Sequence, residues 1–384
     1  YAGIMLLGNF RRGNLALATI FLFFVLMILA TVATTSGSPS EERAKLLLLL
    51  QYILPTFGLS LGMMYEGRRE NEYLVEKAVL MVIAVLMPAQ LWASWMQGGM
   101  FLTPHLYVFS VYQHLQYVPV VVTSSFLISL FTLWDFRNWR ILLLVLAPVF
   151  GTYIAASGAM MAAGLSLMGC AAFAVYRMRN AEAVENRWTE WSVFGLVFGA
   201  GALYNSWTIW GSKFGGVGGR VDAASVSPVN VKDRLDIWGY HFHEIVSDPS
   251  AFLFGHTAPP DRSVWPSAHN YYLDVAYNFG VLATLVIVGL VVFTIIRLYQ
   301  RRKVVLASSA MTGLTLVVLF LILPDSLIKV SLRQPYPGIF AFFLWGLLLA
   351  RIDLLQAVDA ENCWQIEEST NEAPSLSAGN RTGS

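Results

Sequence analysis

The sequence predicts an all-α polytopic membrane protein with about ten to eleven transmembrane helices and one large outer loop that contains an amphipathic helix. Apolar residues make up 56% of the chain and charged residues 13%, whereas soluble domains have about 45–50% and about 25%. The apolar runs are continuous and do not alternate with polar residues, which predicts membrane helices and not a barrel. A net charge of +1 gives no reason to expect nucleic acid as a partner.

The predicted spans are apolar runs of about 20 residues, the length that a helix needs to cross about 30 Å of hydrocarbon. Ten such runs lie at 14–34, 45–65, 78–97, 115–134, 140–156, 158–176, 191–210, 272–296, 304–324 and 337–355. Residues 1–10 are apolar up to Arg11 and Arg12. We interpret them as the cytoplasmic end of a further helix whose beginning is missing, with a short interfacial segment as the alternative.

Lysine and arginine positions predict the orientation, because short cytoplasmic loops are enriched in both residues. With the C-terminus in the cytoplasm, 16 of the 25 cations lie on that side, five lie in the large loop and only four lie in the short outer loops. The predicted organisation is then N-terminal membrane helices in 1–210, the outer loop in 211–270, C-terminal helices in 271–355 and a disordered cytoplasmic tail in 356–384.

The spans themselves carry few ionisable groups. Segments 141–176, 191–210 and 304–324 contain no Asp, Glu, Lys, Arg or His, whereas coupled transporters keep such groups in the middle of the membrane. This favours an interfacial enzyme, and a lipid flippase with a polar cavity stays as the alternative. Cys170 lies in a span and Cys363 in the tail, so the sequence predicts neither a disulfide nor a thiolate metal site.

The outer loop contains a predicted amphipathic helix that ends at Asp248-Pro249. Its apolar stripe has helical spacing and consists of Leu235, Trp238, Phe242 and Ile245. Arg234 and His241 are seven residues apart and share a face beside the stripe. We expect this helix to lie on the membrane surface or on the outer mouth of the protein, where Arg234 could also merely cap it beside lipid headgroups.

A histidine cluster in the same loop could suggest a metal site. The residues are His241, His243, Glu244 and His256. Because helical geometry puts the two neighbouring histidines on different faces, we expect neither a metal nor another cofactor.

The loop ends at the predicted start of the next span, with His269 and Asn270 at its first turn or cap. Unpaired N–H groups and the positive end of the helix dipole attract anions there. Asn270 could instead simply cap the helix. Asp274 lies about one turn further on, where it could tune His269 or merely solvate the outer end.

Three parts of this loop together resemble the O-antigen ligase and O-antigen polymerase superfamily. They are Arg234-Leu235-x-x-Trp238, Phe254-Gly255 and His269-Asn270-x9-Gly280, within residues 231–284. The resemblance implies a metal-independent GT-C type glycosyltransferase of the bacterial inner membrane, with its active site on the periplasmic face. Its donor would be a glycan on undecaprenyl pyrophosphate. Its acceptor would be lipid A-core for a ligase, or another lipid-linked glycan for a polymerase.

The resemblance also implies roles for the site residues. Arg234 would bind the pyrophosphate and His269 would act at the acceptor hydroxyl, with Asp274 as a further catalytic candidate. Family members often carry Ser-Arg-Gly in an earlier span, where this chain has Ala156-Ser157-Gly158. A second phosphate-binding cation must then come from elsewhere, and the candidates are Arg220, Arg262 and Arg333.

The residue types suit this chemistry. Guanidinium groups are good fixed donors to phosphate, and histidine is the ordinary base near neutral pH. Asn270 completes the expected substrate contacts, and the aromatic faces expected to bind sugar rings are those of Trp238, Trp265, Tyr271 and Tyr272.

Overall fold

A computed structural model describes residues 15–34, 39–66, 73–96, 117–157, 159–179, 229–257 and 267–371, together with Gly195 and Gly199. Within these ranges all regular structure is helical. The helices are α1 (Leu15–Thr34), α2 (Pro39–Glu66), α3 (Leu74–Met96), α4 (Tyr117–Leu133), α5 (Arg137–Ser157), α6 (Met160–Arg179), α7 (Val229–Ser247), α8 (Pro249–Phe254), α9 (Tyr271–Gln300), α10 (Arg302–Ala307), α11 (Ser309–Phe320), α12 (Ser326–Ile328) and α13 (Pro335–Asn371). A π-turn, Leu321–Asp325, joins α11 to α12, and a 3-10 turn, Ser331–Arg333, precedes α13.

Eight helical segments are long and apolar enough to cross a membrane, and Tyr117–Leu133 is a shorter apolar helix. These nine segments coincide with nine of the ten predicted runs. The tenth run, 191–210, lies almost entirely outside the described residues, as do residues 1–14. The predicted all-α polytopic architecture is therefore confirmed, and the total number of spans stays a prediction.

Glycines bring α2 and α13 into backbone contact. A Cβ atom added to Gly58 would lie 2.4 Å from the Ile339 carbonyl oxygen, and one added to Gly62 would lie 2.1 Å from that of Phe343. Lipid tails are as apolar as leucine, so membrane helices associate through such close packing. The G-x-x-x-G spacing of Gly58 and Gly62 was a signal for this contact that our sequence analysis did not use.

Contacts between the described helices define two ends of the bundle: Tyr52 of α2 meets Asp274 near the start of α9 at one end, and Arg177 near the end of α6 meets Asp135 after α4 at the other. We call the end where α2, α4 and α9 begin the site end, and the end where they finish the opposite end. Ion pairs at the opposite end join Arg177 to Asp135, Arg351 to Glu76 and Arg297 to Asp353. These pairs fix neighbouring helix ends far from the residues discussed below.

The amphipathic helix forms as predicted, and its predicted apolar stripe is divided between two environments. Leu235 and Phe242 are 57% and 63% exposed, whereas Ile245 and His241 are buried. The helix is rotated so that His241 and Ile245 face α9, where Ile245 packs with Ala276 and Tyr277. Asp248 ends α7 and caps α8, and its side chain accepts a hydrogen bond from the Ser250 amide.

The last helix is longer than predicted. Helix α13 continues to Asn371, beyond residue 356, where the cytoplasmic tail is predicted to begin. The sequence between Leu354 and Glu361 is rich in Leu, Gln, Ala and Glu, which are good helix formers even when polar. Residues 372–384 lie outside the described part.

Candidate functional site

The site end is built around a kink in α9. Gly280 lies inside this helix with φ +81°, a conformation that L side chains rarely adopt. A Cβ atom added there would lie 2.0 Å from the Leu253 carbonyl oxygen, and one added to Gly255 would lie 2.4 Å from the Asn278 carbonyl carbon. The two glycines of the sequence pattern therefore lie on the two sides of one contact, where α8 packs against the kinked helix.

A lysine from a distant helix joins the two sides of this contact. The Lys45 ammonium donates to the Asn278 carbonyl at 2.9 Å and also to the His256 carbonyl. The His256 amide in turn donates to the Tyr277 carbonyl at 2.9 Å. Buried carbonyl groups near a kink need hydrogen-bond donors. Lys45 supplies such hydrogen bonds on both sides of the contact, and this is its structural role.

Asp274 lies one helical turn into α9 and is almost fully buried, with 4% of its surface exposed. The Arg333 guanidinium donates to its Oδ2 atom at 2.6 Å, and the Tyr52 hydroxyl donates to the same oxygen. Burial lowers the pKa of Arg333, but Asp274, Tyr52 and Tyr117 together raise it above its ordinary value. The interpretation that Asp274 merely solvates the outer end is wrong, because the carboxylate is enclosed and ion-paired.

Arg234 is held at the same end by a backbone contact. Its Nη1 atom donates to the Ile328 carbonyl at 2.6 Å, which joins α7 to the end of α12. Half-burial lowers the pKa of the Arg234 guanidinium, which still leaves an arginine charged. Arg234 therefore brings a positive charge to the site end.

A second buried acid and a lysine lie close by. The Lys329 ammonium is 3.7 Å from Asp325, and both side chains are buried. The same ammonium lies 5.7 Å from the centre of the Tyr117 ring. Tyr117 also interacts electrostatically with Arg234 and Arg333. Arg234, Lys329 and Arg333, which we call the cation cluster, thus converge around the start of α4.

His269 and Asn270 lie at the beginning of α9 as predicted. The Asn270 side chain accepts from the amides of Tyr272 and Leu273 at 3.0 and 3.1 Å, so its capping role is confirmed. His269 is partly exposed and has φ +48°, a left-handed conformation that costs about 1–3 kcal/mol and is concentrated at functional sites. The His269 amide donates to the Ser267 hydroxyl at 3.1 Å.

The other predicted substrate contacts have mixed outcomes. Tyr271 is fully buried, so the prediction that its ring offers a face to a sugar is wrong; the ring packs against Tyr52 instead. The Tyr272 hydroxyl donates to the Ile322 carbonyl, and Trp238 is partly buried. Arg220, Arg262 and Trp265 lie outside the described residues.

Of the loop histidines, His241 and His256 both pack on Tyr277, whereas His243 lies apart from them. His241 is buried with its Nδ1 atom 2.8 Å from the Ile237 carbonyl oxygen, whereas His243 is exposed on another face. His256 stacks on Tyr277 with 4.2 Å between ring centres. No group of three or more metal-ligating side chains occurs in the part of the chain that the structure describes.

Several residues of this end were not predicted as site residues. They are Lys45, Tyr52, Tyr117, Asp325 and Lys329, and all but Tyr117, which is partly buried, are buried. Asp325 and Lys329 are four residues apart at the end of an uncharged run, which is a local signal for an ion pair that could have been used. Tyr52 had no such signal, because its partner Asp274 is 222 residues away.

Comparison with protein-family models, curated proteins and solved structures finds no match. The fold and the site define the class of protein: an all-α polytopic membrane protein with a cluster of cations and buried carboxylates at one end of its bundle.

Proposed function

We propose that this protein is an O-antigen-ligase-like glycosyltransferase of the bacterial inner membrane. It transfers a glycan from an undecaprenyl-pyrophosphate carrier to an acceptor sugar at the periplasmic face. The observation that carries the proposal is the convergence of the cation cluster around Tyr117, at the same end of the bundle as His269.

The charges of the site suit a pyrophosphate leaving group. The described residues of the site include three cations, Arg234, Lys329 and Arg333, and two carboxylates, Asp274 and Asp325. Together these five side chains have one excess positive charge. Arg234 supplies this excess, because Lys329 and Arg333 are the cations that pair with the two carboxylates. Electrostatic stabilisation of a departing anion is usually the largest single contribution to catalysis, and guanidinium matches phosphate geometry.

His269 is the proposed base for the acceptor hydroxyl, since it is partly exposed and precedes the helix start. Removal of a general base typically slows a reaction by about 10² to 10⁴. Asp274 is a poor substitute base because Arg333 and Tyr52 already occupy its Oδ2 atom. Its proposed role is to position Arg333, which is the described candidate for the second phosphate-binding cation.

Two alternatives are another enzyme of the same superfamily and a transporter. A polymerase of the same superfamily would use the same site with another lipid-linked glycan as acceptor. A transporter or flippase of lipid-linked sugar is favoured by the two interrupted helices near the cluster, at Gly280 and at Leu321–Asp325. Broken helices frequently form substrate sites in transporters.

Separate measurements of donor binding and glycan transfer test the proposal, with purified protein in lipid nanodiscs. We expect Arg234→Ala to weaken donor binding and transfer, with partial rescue by Arg234→Lys, because lysine lacks the bidentate fork. We expect His269→Ala to abolish transfer and to leave donor binding nearly normal. Arg302→Ala is the matched control, because Arg302 stacks on Tyr299 at the opposite end.

Equal loss of donor binding in His269→Ala and Arg234→Ala would make His269 a phosphate ligand and require another base. Full transfer activity in both variants would contradict the glycosyltransferase proposal. Movement of the lipid-linked donor between leaflets of proteoliposomes, without any transfer, would support the transporter instead.

A further inference from the structure

Helix α7 has three distinct sides. One side faces the bundle and includes His241 and Ile245, which are buried. A second side is apolar and exposed; it consists of Leu235, Phe242 and Val246, at 57%, 63% and 49% exposure. Residues at i, i+7 and i+11 lie on one side of a helix. The third side is polar and exposed and contains Asp236, His243 and Ser247.

Helix α8 extends the exposed apolar surface. Phe252, Leu253 and Phe254 are each 38–39% exposed, although α8 packs against two candidate membrane spans, α1 and α9. The backbone groups of α8 have local partners: the Asp248 side chain accepts from the Ser250 amide at 2.9 Å, and the Gly255 amide donates to the Ala251 carbonyl. A short helix of this kind provides hydrogen-bond partners for its own backbone groups where water is scarce.

The contacts of α7 and α8 give their level relative to the bilayer. The polar end of α9 begins at Arg297. A membrane crossing takes about 20 residues, and counting about 20 residues back from Arg297 reaches Tyr277. Ile245 of α7 packs against Tyr277. Leu253 of α8 contacts Gly280, three residues deeper, which is about 5 Å along a helix. Both helices therefore lie at the boundary of the hydrocarbon layer, and α8 lies just inside it.

The surface beside α8 is also apolar. Leu29 and Val32 of α1 are 53% and 71% exposed, and Leu282 and Leu285 of α9 are 37% and 60% exposed. Because α8 lies against both of these helices, its exposed phenylalanines continue the surface that the spans present to lipid.

We propose that α7 and α8 form a hairpin seated in the membrane leaflet at the site end. Its exposed apolar face contacts lipid acyl chains, and Asp236 and His243 remain in water. This arrangement matches interfacial helices, whose apolar faces lie about 5–10 Å deep at the boundary between headgroups and acyl chains. The seated hairpin would hold Arg234 at the level of lipid phosphates, a consequence that rests on the proposed function; the seating itself does not.

Fluorescent probes at neighbouring positions of α7 test the seating. In a background with Cys170→Ala and Cys363→Ser, single variants Phe242→Cys and His243→Cys are labelled with a polarity-sensitive fluorophore. The labelled proteins are placed in nanodiscs whose acyl chains carry bromine. We expect the probe at position 242 to emit at shorter wavelength and to lose most of its intensity to the brominated lipid. The probe at position 243 is the matched control and should resemble a probe in water.

Three outcomes would overturn the proposal. They are equal quenching at both positions, no quenching at position 242, or short-wavelength emission at 242 without lipid quenching. The last outcome would show that protein, such as a second copy of the chain, covers this face. Gel filtration of each labelled variant checks its folding. The measurement involves no glycan transfer, so its failure is distinguishable from failure of the proposed function.

Discussion

At the scale of single residues, the ion pair between Asp274 and Arg333 shows how a buried charge is kept in this bundle. Both side chains are largely enclosed, and the 2.6 Å contact is supplemented by the Tyr52 hydroxyl. Taking two charges out of water is costly, and their attraction offsets that cost only when both partners are present. We therefore expect the pair to affect the stability of the protein mainly when one of its two partners is removed.

Removal of Arg333 alone should destabilise the protein strongly. Arg333→Met leaves the Asp274 carboxylate buried without its cation, for which we expect a loss of about 3–5 kcal/mol. Adding Asp274→Asn should recover much of that loss. Thermal unfolding in detergent measures both variants, with Arg302→Met at the opposite end as the control. If the double variant were no more stable than Arg333→Met, the pair would not be the source of the effect.

At the scale of elements, two glycines decide how α8 meets α9. Gly280 breaks the helical conformation of α9, and Gly255 lets the backbone of the following segment reach Asn278. Lys45 then donates to carbonyl groups on both sides of the contact. The kink, the short helix and the lysine thus form one unit, which also determines how α7 approaches the cation cluster.

Substitution of Gly280 should disrupt this unit, whereas substitution of Gly289 should not. Gly280→Ala places a methyl group about 2.0 Å from the Leu253 carbonyl oxygen at a positive φ. Gly289 lies in the same helix with nothing within 4 Å of an added Cβ, which makes Gly289→Ala a matched control. We expect a lower unfolding temperature and faster proteolysis near residue 255 only for Gly280→Ala. Similar behaviour of the two variants would contradict the kink as a tight contact.

At the scale of the whole molecule, the described helices have two chemically different ends. The opposite end has ion pairs at helix termini, such as Arg177 with Asp135. The site end has the cation cluster and the acids that partly neutralise it. Positive-inside counting predicts that the site end faces away from the cytoplasm, and the proposed function requires this orientation.

Labelling of introduced and natural cysteines tests the orientation. In spheroplasts, a membrane-impermeant thiol reagent should label Ser225→Cys in the large loop and should not label Cys363 in the tail. Permeabilised cells are the control, in which both thiols should react. Labelling of Cys363 in intact spheroplasts would invert the topology and place the cation cluster on the cytoplasmic side.

The sequence by itself determined which segments are helical and where several of them end, whereas the contact between the Gly255 and Gly280 segments is known only from the structure. A run of about 20 apolar residues is a local property, and so is the cap formed by Asn270. Local sequence signals could not predict the partners of Asp274, because Arg333 and Tyr52 are 59 and 222 residues away.

Only the tertiary structure decided which side of α7 faces the bundle. Helical periodicity correctly indicated an amphipathic helix, but it grouped exposed Leu235 and Phe242 with buried Ile245. In water, burial selects the apolar side of a helix for the protein interior. Beside a membrane this distinction is lost, since lipid tails are as apolar as leucine. Hydrophobicity therefore identified the faces that avoid water, and packing against α9 decided which of them meets protein.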